Sequence, residues 1–270
     1  MHLHEKADQL EDGRRSLDMN VKQSDRRLPT ELAALNNFSM CGIDLLVHLY
    51  RLGQYVTTEM IAGDFVECGV CNGGSAAAVA CAVRGTKRHV WLYDSFEGLP
   101  EPINVDGTDA RDWVGKCLGS EDRVREALTL ARLPEEDYTI RKGWFQDTFK
   151  QGLPEVISLL HIDADWYESV MLSLDTFYDR VSDGGIIVLD DFGHWEGCRE
   201  AFYDFAQRRN LKPVLERVGH TQAFWVKGRT HNRGFSENRS EAGEIRSLMK
   251  RYRIRHYASW ARSWTRLISG

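Results

Sequence analysis

The stretch Gly63–Val83, GDFVECGVCNGGSAAAVACAV, decides the fold. It opens with a short apolar run, Asp64–Cys68, passes through a glycine-dense loop, Gly69–Ser75, and continues as an alanine-rich segment, Ala76–Val83. A short apolar run bounded by glycines reads as a strand buried on both faces. Glycines permit tight turns and close approach of backbone to a ligand. Small side chains let the following helix sit close to a sheet. Strand, loop and helix in this order form the opening unit of a doubly wound α/β sheet.

The same alternation continues outward. His89–Asp94 (HVWLYD), Tyr138–Lys142, Val156–Asp163 (VISLLHID) and Ile186–Asp190 read as further strands, the last preceded by a turn at Asp183-Gly184-Gly185. Helices are expected at Ser120–Arg132, Ser169–Val181 and Gly197–Asn210, and two closing strands at Lys212–Arg217 and Gln222–Lys227. Ser120 is placed to cap its helix, with Glu121 and Asp122 in the first turn. Residues 95–119 read as a long Gly-, Pro- and Asp-rich loop, and long loops inside compact domains tend to be functional. Three regions follow: a polar arm and lid helices at 1–60, the α/β domain at 61–228, and a basic helical tail at 229–270.

The chain has 270 residues, a net charge of −5 and 42% hydrophobic residues, enough for one large α/β domain. From Arg229 onward there are 10 Lys/Arg against 3 Asp/Glu, an excess of seven that leaves −12 on the rest. An acidic body argues against a broad nucleic-acid surface. In the tail, Ile245, Leu248, Met249, Tyr252, Trp260 and Leu267 share a broad face interrupted by Arg253, a weak signal for membrane contact. With no long apolar run and no secretory pattern, the cytoplasm is the expected location. The six cysteines show no disulfide framework, and Cys68-x-x-Cys71 reads as two small residues in a glycine loop. Oligomeric state is left open, a homo-oligomer included.

In an open α/β sheet, ligands bind beyond the C-terminal ends of the strands, and the chemistry-bearing residues all fall there. The loop Gly69–Ser75 does not fit the dinucleotide pattern G-x-G-x-x-G, because Cys71 stands at the second glycine position. An acidic residue before the first glycine points instead to S-adenosylmethionine. Glu67 orients that loop or reaches the cofactor amine, with Gly69, Asn72, Gly73, Ser75 and Asp163 around the ligand. Asp94, with Ser95 beside it, can accept hydrogen bonds from both ribose hydroxyls. Trp144 or Phe145 can stack on the adenine, and Asp147 can take its amino group.

Asp163, Asp190 and Asp191 stand at the tips of two consecutive apolar strands. Neighbouring strands lie about 4.8 Å apart, so these acids can converge. Crowded carboxylates are stabilised by a cation between them, and oxygen-only ligands suit Mg²⁺ or Mn²⁺. Zinc is disfavoured for want of a nearby Cys or paired His. Asp163 is the first choice of base for a bound hydroxyl and Asp165 the second, with the more exposed His194 as an assistant. His161 reads as a buried histidine satisfied by its neighbours.

The segments GDFVECGVCNGGS, YDSFEGLP, KGWFQDT, HIDADWYES and LDDFGHWEGCR, in this order, resemble the macrocin O-methyltransferase family, which acts on sugar hydroxyls of natural products. The resemblance implies a class I methyltransferase fold with an antiparallel final strand, and an S-adenosylmethionine site. It also implies a Mg²⁺ site at Asp163, Asp190 and Asp191, and a lid made by the N-terminal helices and the loop after Asp94. The expected acceptor is a small-molecule or glycosylated hydroxyl. Two other readings compete: a nicotinamide-dependent oxidoreductase on a similar sheet, and a non-catalytic protein tethered to a membrane by its tail.

Overall fold

The computed structural model describes residues 28–229. The polar arm and the basic tail, with the helical face from Ile245 to Leu267, lie outside the described residues. The chain divides into two compact units; the described part of the first is Leu28–Ala33, and the second starts at Ala34 and holds the sheet. A short helix, α1 (Glu31–Leu35), precedes the main elements.

Seven strands form one sheet: β1 (Asp64–Cys68), β2 (Val90–Asp94), β3 (Tyr138–Lys142), β4 (Ile157–Ile162), β5 (Val181–Leu189), β6 (Glu216–Val218) and β7 (Gln222–Val226). Their order is β3-β2-β1-β4-β5-β7-β6. The first five run parallel, and β7 is antiparallel to both β5 and β6. The chain winds outward in opposite directions from β1 and β4, so the topological switch lies between them. That is where a crevice opens in this class of sheet.

The helices are α2 (Ile43–Thr58), α3 (Gly74–Val83), α4 (Glu121–Leu130), the single turn α5 (Phe145–Thr148), α6 (Tyr167–Phe177) and α7 (Glu196–Arg208). Strand alternation sends Val66, Cys68, Leu160, Ile162, Ile187 and Leu189 into one core with Val170, Leu174 and Phe177 of α6 and Ala201, Phe202 and Phe205 of α7. The opposite face carries Phe65, Leu92, Leu159 and Val188, all fully buried. There α2 and α3 pack so closely that a side chain on Gly53 would meet Ala82 Cβ at 2.8 Å. The alanines of α3 permit that approach.

Three expectations change. The Asp183-Gly184-Gly185 segment is strand, not turn, because Gly184 N–H donates to Lys227 O and Lys227 N–H to Gly185 O, extending the pairing with the last strand. Helix α6 starts at Tyr167, two residues early, because Asp106 Oδ1 accepts the orphan Tyr167 N–H at 2.7 Å. Helix α2, expected as part of the lid, packs against α3 along its length. Past α1, the N-terminal region reaches the cavity described below through Phe38–Gly42 and Leu45.

Candidate active site

The strand tips are drawn level by single hydrogen bonds beyond the ladders. Gly69 N–H donates to Tyr93 O (2.9 Å), Asp163 N–H to Cys68 O (2.8 Å), Asp190 N–H to Ile162 O (2.9 Å) and Gly143 N–H to Asp94 O (2.9 Å). Gly69 has φ +86°, and a Cβ there would stand 1.7 Å from Asp163 O. Glycine is therefore required where the loop crosses the β4 tip. Asp94 holds the loop in shape: one oxygen accepts from Val70 N–H (2.7 Å) and Cys71 N–H (2.8 Å), the other from Phe96 N–H (2.6 Å). A carboxylate has about four acceptor sites, so Asp94 keeps capacity toward the cavity it lines.

The cavity above these tips holds about 450 Å³. Of the residues expected to contact a cofactor, Gly69, Ser75, Asp94, Ser95, Trp144, Phe145 and Asp163 line it. Four do not. Glu67 is wholly buried and bonded to His161, away from the cavity lining. Asn72 and Gly73 are loop residues outside the lining, with Gly73 (φ +82°) at the N-cap of α3. Asp147 turns outward to Lys150 (3.7 Å) with its side chain 75% exposed, because the segment folds as the single turn α5, which presents Gln146 to the cavity instead. The long loop supplies a wall through Leu99, Glu101, Asp106, Trp113 and Cys117. An indole cluster sits on that side: Trp195 packs edge-on against both Trp113 (5.9 Å) and Trp166 (4.8 Å).

Asp163, Asp165, Asp190, Asp191 and His194 all line the cavity. Carboxylate oxygens of Asp163, Asp165 and Asp191 lie within 4.8 Å of one another, and a second group, sharing Asp163, joins Asp190 and Cys41. Cys41 Sγ is 3.4 Å from Asp190 Oδ2, which corrects the expectation that no cysteine is at hand. Asp165, at φ +55°, accepts from Trp195 Nε1–H at 2.8 Å. Asp191 Oδ2 is buried and has no partner.

Beneath Asp190 runs a polar chain. His161 stands between Glu67 Oε1 (Nδ1, 2.8 Å) and Asp190 Oδ1 (Nε2, 3.2 Å), and Gln222 Nε2–H also donates to that Asp190 oxygen (2.8 Å). Burial opposes a charged imidazole, but the hydrogen bonds to Asp190 and Glu67 outweigh it and hold His161 well above the usual histidine range. Burial likewise opposes the Asp190 anion, yet the bonds from His161, Gln222 and Cys41 keep its pKa below the ordinary value. The other acids go the opposite way. Burial, then repulsion from Asp190, Asp191 and Asp165, raises Asp163, and burial with Asp165 and Asp190 raises Asp191. Burial pushes Asp165 up to about 7 against the opposing Trp195 bond. One acid is thus ionised by design, and three share a charge they cannot disperse unaided.

Sequence reasoning missed Cys41, Gln222, Trp113 and Asp106. Asp106 and Trp113 fall in the loop 95–119 that reads as functional, Gln222 is a polar residue opening the apolar strand QAFWV, and nothing local marks Cys41.

The chain matches the family model for macrocin O-methyltransferase (TylF) over residues 2–227. It is 29% identical over 196 residues to 8-demethyl-8-(2,3-dimethoxy-α-L-rhamnosyl)-tetracenomycin-C 4′-O-methyltransferase of Streptomyces olivaceus, covering 69% of this chain and 74% of that one. It is 28% identical over 205 residues to demethyldecarbamoylnovobiocin O-methyltransferase of Streptomyces niveus, covering 72% and 77%. The solved O-methyltransferase NovP superposes with a TM-score of 0.62 at 26% identity, over 71% of this chain and 83% of that one. The calicheamicin methyltransferase CalS11 shares the fold, with a TM-score of 0.60 at 19% identity, over 76% and 88%. These matches set aside the oxidoreductase and non-catalytic readings. With its antiparallel last strand, its glycine loop and a family match spanning most of its length, the chain is an O-methyltransferase and belongs to the macrocin O-methyltransferase family.

Proposed function

We propose that this enzyme transfers the methyl group of S-adenosylmethionine to a sugar hydroxyl of a glycosylated natural product, with a divalent cation at the acid cluster. The observations that carry the cation are the two groups that share Asp163, one with Asp165 and Asp191 and one with Asp190 and Cys41, together with the buried, unpartnered Asp191 Oδ2. An oxygen donor set of this charge fits Mg²⁺ or Mn²⁺. Asp163, Asp190 and Asp191 would hold the ion, which when bound acts as a Lewis acid that acidifies the acceptor hydroxyl.

The protein's own groups do the rest. The loop fixed by Asp94, with Ser75, Trp144 and Phe145, forms the donor side of the cavity. Asp165 suits the base better than Asp163. Trp195 fixes one of its oxygens and leaves the other for the hydroxyl proton, whereas Asp163, the acid common to both groups, is the better placed to ligate the ion. His194 lines the same wall and can pass the proton to solvent. The acceptor class rests on the relatives, whose names specify rhamnosyl-tetracenomycin and novobiocin substrates.

The test is methyl transfer to a rhamnosylated aromatic aglycone from labelled S-adenosylmethionine, with Mg²⁺ or with chelator. Label should reach the sugar with Mg²⁺ and fall at least a hundredfold without it. Undiminished transfer in chelator contradicts the metal role. Among the described residues no single helix is long and apolar enough to cross a membrane.

A further inference from the structure

We propose that Glu67, His161 and Gln222 are positioning residues that set the cation affinity of the site by locking Asp190, an inference that rests on the metal reading above. The four groups come from four adjacent strands: Glu67 from β1, His161 from β4, Asp190 at the tip of β5 and Gln222 from β7. Glu67, His161 and Gln222 are wholly buried and Asp190 is nearly so. None of the three touches the cavity.

Their bonds sort the two oxygens of Asp190. Oδ1 takes both His161 Nε2 (3.2 Å) and Gln222 Nε2 (2.8 Å). Oδ2 takes only the thiol of Cys41 at 3.4 Å, a weak donor. One oxygen is anchored from below and the other is left for an ion. Glu67 in turn fixes the ring of His161 through Nδ1 at 2.8 Å. A carboxylate that orients a histidine, which orients a ligand, is the arrangement by which outer groups tune a metal site.

Stability does not account for the chain. Buried ion pairs lose much of their attraction to desolvation, and apolar groups of similar volume often serve as well or better. Glu67 Oε2 has no partner at all, an unrewarded desolvation inside the sheet.

The experiment is Mn²⁺ titration calorimetry of the full chain saturated with S-adenosylhomocysteine, for wild type, Glu67→Gln and His161→Gln. Loss of outer-shell partners weakens metal binding about 10–100-fold. We expect that weakening in each variant while S-adenosylhomocysteine affinity stays within about threefold, a split that general loosening of the fold would not produce. Wild-type Mn²⁺ affinity in both variants overturns the inference and leaves the metal reading standing. No Mn²⁺ binding by wild type overturns both. Should His161→Gln fail to fold, the wild-type protein with ¹⁵N-labelled histidine decides. A buried imidazole N–H resonance must shift on Mg²⁺ addition, and an unmoved spectrum overturns the proposal.

Discussion

Removing a functional carboxylate should make the metal-free enzyme more stable. The oxygens of Asp163, Asp165 and Asp191 lie within 4.8 Å of one another. Two unit charges at that distance repel by about 3.5 kcal/mol at an effective dielectric of 20, so Asp191 facing two ionised neighbours would meet about 7 kcal/mol. Proton uptake relieves part of this, since Asp191 and Asp163 both titrate well above the ordinary carboxylate range. What remains is repulsion from about one ionised neighbour, on the order of 1–3 kcal/mol for effective dielectrics between about 80 and 20. Asp191→Asn keeps the shape and removes the charge. In chelator it should melt about 2–12 °C above wild type, at roughly 2–4 °C per kcal/mol for a domain of this size. Adding cation should reverse the order. A hundredfold excess over Kd stabilises the binding form by about 2.7 kcal/mol, which wild type gains and the variant does not. Differential scanning fluorimetry reads both arms. A variant that melts below wild type in chelator, or that responds equally to Mg²⁺, refutes the reasoning.

Trp195→Phe keeps the ring packing but removes the N–H that holds Asp165 at 2.8 Å, so kcat should fall about tenfold or more with the acceptor KM little changed. An unchanged kcat would remove Asp165 from the base role. Gly69→Ala forces a Cβ onto Asp163 O and a side chain into φ +86°, so S-adenosylhomocysteine binding should drop beyond calorimetric detection; near-normal affinity would contradict the assigned loop. His48 packs on Phe224 (5.0 Å), and burial first, then the charge of His161, lowers its pKa from 6.5 to about 4. The unfolded chain therefore binds the extra proton first, and up to about 3 kcal/mol of stability is lost as pH falls from 6.5 through 4. Urea midpoints at pH 7 and pH 5 should converge in His48→Phe, and an unaltered difference would exclude His48 as the source. Phe205→Ala, in the core between α7 and the sheet, should cost about 3–5 kcal/mol by urea unfolding.

The fold was legible because five apolar runs each end in glycine or an acid, and parallel pairing aligns those ends at one edge. For the same reason the convergence of Asp163, Asp190 and Asp191 on one cavity could be read from two strand tips without knowing the strand order, while Asp165 entered only as a second choice of base. What escaped depends on contacts between distant segments. Cys41 meets Asp190 across 149 positions, and nothing local announces it. Glu67 stands apart from the cavity because strand alternation puts it on a buried face of the sheet beside His161, its register partner on β4. Asp147 was misread because one helical turn rotates it to solvent and brings Gln146 inward. The strand start at Val181 was hidden because two glycines that signal a turn here lie in a bent stretch of β5 paired with the chain's last strand.

The central claim is a divalent cation gripped by acids beside the donor loop. Crystals grown with S-adenosylhomocysteine and soaked in Mn²⁺ test it by anomalous scattering. The account predicts one strong peak coordinated by Asp163, Asp190 and Asp191. A map without density among those carboxylates, beside a bound cofactor product, would contradict it.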